Sequence, residues 1–432
     1  MQSGTAAMPP SRTPPPSGGP QLPGRVGWRF ALLGSANLGA AGAGFLATLL
    51  IARGFGAEGL GLIALSMSLL SFGTTIALFG TDLLAVRQVA AHPRTLWPML
   101  RTVTRLRAVM AALAYLGLLG AVWAVPGFRD VAPLVAIFGL SLPAVAFSAE
   151  WVPQALHRTG ITALANMGLQ LFYLTFLGLG LLMGMPLLGV AVARVTADAL
   201  VALGFRFWAW RRPRPDPEAA PDPAAPSCAP GRVARAAAPI CATQIVRTLA
   251  LTSDMLLLGL MVPADSLGHY AAASRLFYVM MSLATAYFII VLPRIAAAAA
   301  NPPPALRTEL RESLRRTVPL ALAGTLLLAP LSPVILSTMF GAEFVHAAPA
   351  LAILGAATAA SLIGRHYRQV LLARSRQVDD LRLSLAGSAV HVTAKLALIP
   401  FLGITGAALG TFLGETFILL VQRRATRNEL DR

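Results

Sequence analysis

The sequence predicts an all-α polytopic membrane protein: about twelve transmembrane helices in two six-helix lobes, with both termini inside the cell. Three observations predict it. Hydrophobic residues fill 56% of the 432 positions and charged residues only 12%, against roughly 25% charged in water-soluble domains. The apolar residues gather in runs long enough to cross a hydrocarbon core, which takes about 20 helical residues. The basic residues gather between those runs, mainly on one side. Soluble cores cannot hide this much apolar surface, so a mean hydropathy of +0.68 excludes soluble and fibrous classes.

Residues 1–27 are rich in Pro, Gly and Ser and hold no apolar stretch. No cleaved signal peptide is expected there, and the segment reads as a disordered cytoplasmic tail. A first lobe over 28–210 holds apolar segments at 29–52, 59–81, 107–125, 131–152, 161–184 and 186–208. A second lobe over 233–424 holds segments at 233–262, 266–292, 317–338, 347–371, 379–400 and 403–422. Between them 211–232 reads RRPRPDPEAAPDPAAPSCAPGR, whose prolines and charges forbid a membrane helix and mark a cytoplasmic linker. Residues 425–432 form a short cytoplasmic tail.

The net charge of +17 would suggest nucleic acid on a soluble protein. Here 34 of the 35 basic residues are Arg, and 29 of the 35 fall in the tail and inner loops if the N-terminus is inside. The outer loops hold Arg53 and Arg129, and Arg194, Arg247, Arg275 and Lys395 lie within helices. That bias follows the positive-inside rule and argues for a topology signal, with no nucleic-acid partner. Trp28, Trp123, Trp151, Trp208 and Trp210 fall at predicted helix ends, where an aromatic belt is expected. The longest outer loop, MFGAEFVH at 339–346, leaves no room for an external catalytic domain. The inner stretch 294–316 carries Arg307, Arg311, Arg315 and Arg316 and is expected to be either an amphipathic helix on the anionic leaflet or a plain topogenic loop. Cys228 and Cys241 have no metal-ligand spacing.

A weak repeat joins the lobes. LLIARGFGAEGLGLIALSMSL from residue 49 matches LLLGLMVPADSLGHYAAASRL from 256, an offset of 207. GVAVARVTAD from 189 matches GAALGTFLGE from 406, aligning Asp198 with Glu415. Six-helix repeats about an axis along the membrane normal are one transporter architecture, with cargo between the lobes.

Ionisable groups inside a membrane cost several kcal/mol unless paired or wetted, so each needs a reason. Arg247 and Asp254 are seven apart and share a helical face. Arg247 lies about 18–20 Å from the inner end of its helix, and Arg275 about 13 Å from the outer end of the next, both near mid-bilayer. Gln244 adds polarity to that face. These residues predict a cationic groove, or else an Arg247–Asp254 or Arg275–Asp254 fastener. Arg194 and Asp198, one turn apart, can pair within their helix. His391 and Lys395 put two cations one turn apart with no acid between them, which points to cargo contact. Glu415 either pairs with Lys395 or carries a coupling proton. Arg53 either anchors the outer end of the first helix or meets an emerging phosphate. Asn37 sits in GSANLGAAGAG, a small-residue run that permits close packing or a bending gate.

The segments NLGAAGAGFLATLLIARGFGAEGLGLIALSMSLL, GTDLLAVRQVA, DMLLLGLMVPADSLGHYAAASRLFYVMMSLATAYFIIVLPRIA, MFGAEFVHAAPALAIL and LIPFLGITGAALGTFLGE, in that order, resemble the Wzx-type polysaccharide-repeat-unit flippases of the multidrug/oligosaccharidyl-lipid/polysaccharide superfamily. The likeness covers nearly all of 28–424. It implies a MATE-like fold in the cell inner membrane, a central cavity and alternating access. It also implies an undecaprenyl-diphosphate-linked oligosaccharide as cargo, with a polysaccharide polymerase and chain-length regulator as partners. By position it implicates Arg53, Asp254 and Arg275. No cofactor is expected beyond H⁺ or Na⁺ coupling, no metal site, and no enzyme activity.

A cation-coupled multidrug antiporter of the same superfamily is the nearest rival, and it needs cavity acids for exchange. A membrane-embedded polymerase or ligase needs a sizeable outer loop, which this chain lacks.

Overall fold

The computed structural model describes residues 23–212, 226–299, 303–374 and 376–430. The described residues form helices and short 3-10 turns, with no strand among them. In oil a backbone must satisfy its own polar groups, and a helix does so within one segment. Most of the expected tail 1–27, most of the linker 211–232 and the end of the tail 425–432 lie outside the described residues.

The chain runs α1 (Pro23–Leu78), α2 (Thr81–Ala91), α3 (Leu96–Ala124), α4 (Ala132–Phe138), α5 (Ser141–Phe147), α6 (Trp151–Ala155), α7 (Thr159–Leu182) and α8 (Leu187–Trp210). After the linker come α9 (Pro230–Met261), α10 (Ala264–Ala299), α11 (Pro303–Met339), α12 (Ala348–Ala373) and α13 (Gln377–Leu430). Two of these are helix pairs run together: α1 turns at Gly56 (φ 68°) and α13 at Gly403 (φ 53°). Left-handed backbone is open to glycine at little cost, so these two residues place the turns.

Among the described residues eight helical runs are apolar and long enough to cross a bilayer, or nine if the bent run over 230–261 is one span. Two of the eight, Gly39–Ala91 and Val378–Arg427, contain the glycine turns.

Three expectations are corrected. Residues 303–316 are not a loop; they are helical, the first turns of the 37-residue α11. The expected segment 131–152 is broken into α4, α5 and α6. Trp151 is 1% exposed, packed in a core cluster with Trp97 and Val152, so it belongs to no lipid-facing belt. Trp123 and Trp210 do stand exposed at helix ends.

The two sets of helices, α1–α8 and α9–α13, meet where α1 crosses α10. A Cβ on Gly61 would overlap the carbonyl oxygen of Ala264, and one on Gly268 would overlap that of Ala57. Ala264 follows Ala57 by 207 residues and Gly268 follows Gly61 by 207, the offset of the sequence repeat. The contact is therefore reciprocal, as between surfaces related by a two-fold axis. Its neighbours are backbone atoms, which cannot swing aside. Gly268→Ala is expected to cost about 1–3 kcal/mol by overpacking, read as a lowered unfolding midpoint in detergent. An unchanged midpoint would mean that the helices do not touch there.

The same end is fastened by Arg53. Its Nε and Nη2 donate to the carbonyls of Met339 (2.9 Å) and Thr338 (2.7 Å) in the last turn of α11, where a cation satisfies open carbonyls and suits the helix dipole.

Candidate substrate-binding chambers

Two cavities adjoin at Tyr278, which lines both. The larger, about 540 Å³, lies among α9, α10, α12 and α13. The smaller, about 280 Å³, lies where α1, α7 and α8 face α9 and α10.

Seven ionisable residues line the larger chamber: Arg247, Asp254, Arg368, Asp380, His391, Lys395 and Glu415. Each of the three acids has a basic partner. Lys395, 1% exposed, pairs with Asp254 Oδ1 and donates to Ser253 Oγ (3.4 Å). Tyr270 and Thr411 donate to the other carboxylate oxygen, at 2.5 and 3.4 Å. Arg368 Nε reaches both oxygens of Asp380 at 3.1 Å. His391 Nε2 lies 3.6 Å from Glu415 Oε1, an ion pair whenever the ring is protonated. Arg247 remains, with no hydrogen bond or ion pair among the described residues.

Glycines admit these side chains. The turn at Gly403 folds the second half of α13 back along the first. A Cβ on Gly410 would come within 2.5 Å of Lys395 Cγ, and one on Gly414 would overlap the His391 ring. The glycines four residues apart are thus slots for the Lys395 and His391 side chains.

The smaller chamber repeats the pattern. Arg194 Nε pairs with Asp198 one turn on (3.1 Å), as the spacing predicts, and its guanidinium lies 5.9 Å over the Tyr173 ring. Among the described residues Arg275 has no carboxylate and no hydrogen-bond acceptor, and its buried Nε has no partner. Its guanidinium enters a slot at Gly44, where a Cβ would overlap Nη2. That gives a physical reason for one glycine of the run around Asn37.

The predicted residues therefore separate. Arg247, Asp254, His391, Lys395 and Glu415 meet in one chamber, and Arg194 and Arg275 in the other. Neither Arg247 nor Arg275 fastens to Asp254, and Glu415 faces His391 rather than Lys395. Lys395, read as a free cargo contact, is spent on Asp254 because burial leaves its ammonium no other counter-charge. Arg53 sits at the seam between α1 and α11, Gln244 is exposed outside both chambers, and the Asn37 side chain lies outside the described ones.

Sequence reasoning missed Tyr278, Tyr270 and the Arg368–Asp380 pair. Arg368 was counted with the inner basic residues although it stands in α12. Tyr278 follows Arg275 by three positions, one helical turn, and that spacing was a usable signal.

A large set of apolar helices long enough to span a bilayer, two internal chambers and a reciprocal seam define an all-α polytopic membrane protein. The sequence profile of the polysaccharide biosynthesis protein family matches residues 28–298, so the chain belongs to that family. No curated protein matches it. Solved structures share its fold at low identity. The lipid II flippase MurJ, in an inward closed conformation, matches with a TM-score of 0.70 at 14% identity, covering 92% of this chain and 87% of its own. An inward-facing multidrug resistance MATE family transporter of the MOP superfamily matches at 0.68 and 14%, covering 90% and 94%. A MOP superfamily transporter from Pyrococcus furiosus Vc1, described as having reverse polarity in its binding pocket, matches at 0.61 and 14%, covering 93% and 95%. These neighbours are two transporters and a flippase.

Proposed function

We propose that this chain moves an undecaprenyl-diphosphate-linked oligosaccharide from the inner to the outer leaflet of the cell inner membrane, by alternating access of two lobes, 28–210 and 233–424. In this reading the chain crosses the bilayer twelve times, with both termini in the cytoplasm. One observation carries the proposal: each chamber holds an arginine without a carboxylate, while every acid lining the chambers has a basic partner. A diphosphate passing through oil needs such a fixed cation, and guanidinium offers it two parallel donors. Arg247 and Arg275 are the binding residues, with Arg194 beside Arg275. Lys395 and Asp254 hold the wall of the larger chamber. Glu415 and His391, the most widely spaced pair at 3.6 Å, are where H⁺ or Na⁺ coupling would act. The family points to polysaccharide assembly, so a polymerase and a chain-length regulator are the proposed partners.

The multidrug antiporter reading shares the fold. A cationic drug, however, would have to displace a base from each acid in the larger chamber.

Thermal unfolding of the purified protein separates the two. Undecaprenyl diphosphate at about 100 times its Kd stabilises by about 2.7 kcal/mol and raises the midpoint; ethidium does not. A shift with ethidium and none with the diphosphate would replace the flippase reading by the antiporter.

A further inference from the structure

A third cavity, about 630 Å³, lies on the other side of α10, where α11 and α12 flank it. It shares no lining residue with the two chambers. Both long walls change character in the same order. Along α10 the lining passes from Arg294 to Tyr287 and then to Ala284, Leu283 and Met280. Along α11 it passes from Glu309 and Glu312 through Ser313, Arg316 and Thr317 to Leu320, Gly324 and Leu328. On these two antiparallel helices charge thus stands at one end of the groove and hydrocarbon at the other, with hydroxyls between them.

The charged level is where α10 ends and α11 begins, the end that the positive-inside bias assigns to the cytoplasm. Arg294 Nε is 3.8 Å from Glu309 and Arg316 Nη2 is 3.7 Å from Glu312, loose pairs with donors and acceptors to spare. The hydroxyl level is a chain: Tyr287 to Ser313 Oγ (3.3 Å) and Thr317 Oγ1 (3.1 Å), and Thr317 to His366 Nε2 (3.2 Å). Above it Leu283 and Leu320 are 56% and 71% exposed, as side chains facing lipid are. From Arg316 to Leu328 the groove runs about 18 Å along the helix, a little over half of a hydrocarbon core of about 30 Å. That is the depth of one leaflet.

We propose that this groove is a binding site for an inner-leaflet phospholipid whose headgroup is zwitterionic with a primary ammonium, of the phosphatidylethanolamine kind. Its phosphate meets Arg294 and Arg316, and its ammonium donates to Glu309 and Glu312. The glycerol esters lie at the hydroxyl level, and one acyl chain fills the groove. Two arginines set beside two glutamates complement a headgroup carrying both signs. An anionic headgroup would leave the glutamates unanswered, and a quaternary ammonium has no hydrogen to donate to them.

The test uses the full-length protein, stripped of lipid in detergent and titrated with dioleoyl phosphatidylethanolamine, phosphatidylcholine or phosphatidylglycerol, with the first bound lipid counted by native mass spectrometry. The ethanolamine lipid is expected to bind about tenfold tighter than the choline lipid, the worth of one charge-assisted hydrogen bond. Glu309→Gln with Glu312→Gln should erase that preference. Gly324→Leu should remove the first adduct of all three lipids, because a Cβ there meets nothing within 4 Å and the side chain enters open groove. Equal binding of the ethanolamine and choline lipids, preference for the glycerol lipid, or unchanged adducts in Gly324→Leu would each overturn the proposal. None of these outcomes bears on cargo in the other chambers.

Discussion

Arg275→Ala is expected to stop cargo transport while leaving the protein at least as stable as before. The two effects have opposite signs because Arg275 stabilises nothing in the resting fold. Among the described residues its guanidinium has no carboxylate, and its buried Nε has no acceptor. Deleting it removes a desolvated charge, so the unfolding midpoint should hold or rise. The cargo loses its fixed cation. A hydrogen bond to a charged group is worth about 1.5–3 kcal/mol, so binding should weaken by about tenfold to 150-fold. Flipping of a fluorescent lipid-linked oligosaccharide in proteoliposomes measures this. Arg275→Lys should recover only part, since an ammonium lacks the paired planar donors. Gly44→Ala should mimic the loss without touching a charge, because its methyl group would occupy the slot that the guanidinium fills. Wild-type flipping by Arg275→Ala would remove the central claim about cargo.

Lys395→Ala is expected to cost about 3–5 kcal/mol, the usual penalty for breaking a buried ion pair by removing one partner. Asp254 would keep its hydrogen bonds from Tyr270 and Thr411 but lose its only counter-charge. The damage should spread, since the network ties α9, α10 and both halves of α13 at one point. Restoring neutrality should restore much of the stability: Lys395→Met with Asp254→Asn is expected to unfold nearer to wild type than Lys395→Ala alone. Thermal unfolding in detergent reads both. A Lys395→Ala protein with an unchanged midpoint would show that the pair is not formed in the folded protein.

The contrast between these residues shows how far the sequence could be read. Depth along a helix is arithmetic on residue number, so Arg247, Arg275, Lys395 and Asp254 were all recognisable as intramembrane charges before any coordinates. Which of them would be neutralised was not recognisable. Asp254 pairs with a lysine 141 positions away, whereas the arginine seven positions before it on its own helix stays free. Likewise Gly61 and Gly268 stood in aligned positions of a weak repeat, but only the crossing of α1 and α10 shows each against the other's backbone.

Hydropathy, charge bias and the glycine turns are properties of consecutive residues, so the class, the helical content and the membrane setting can be read along the chain. Pairing depends on how each helix is rotated about its axis and where it crosses its neighbours, and those follow from packing between segments more than 100 residues apart. That is why Lys395 became part of a wall and Arg275 became a site, though sequence treated them alike.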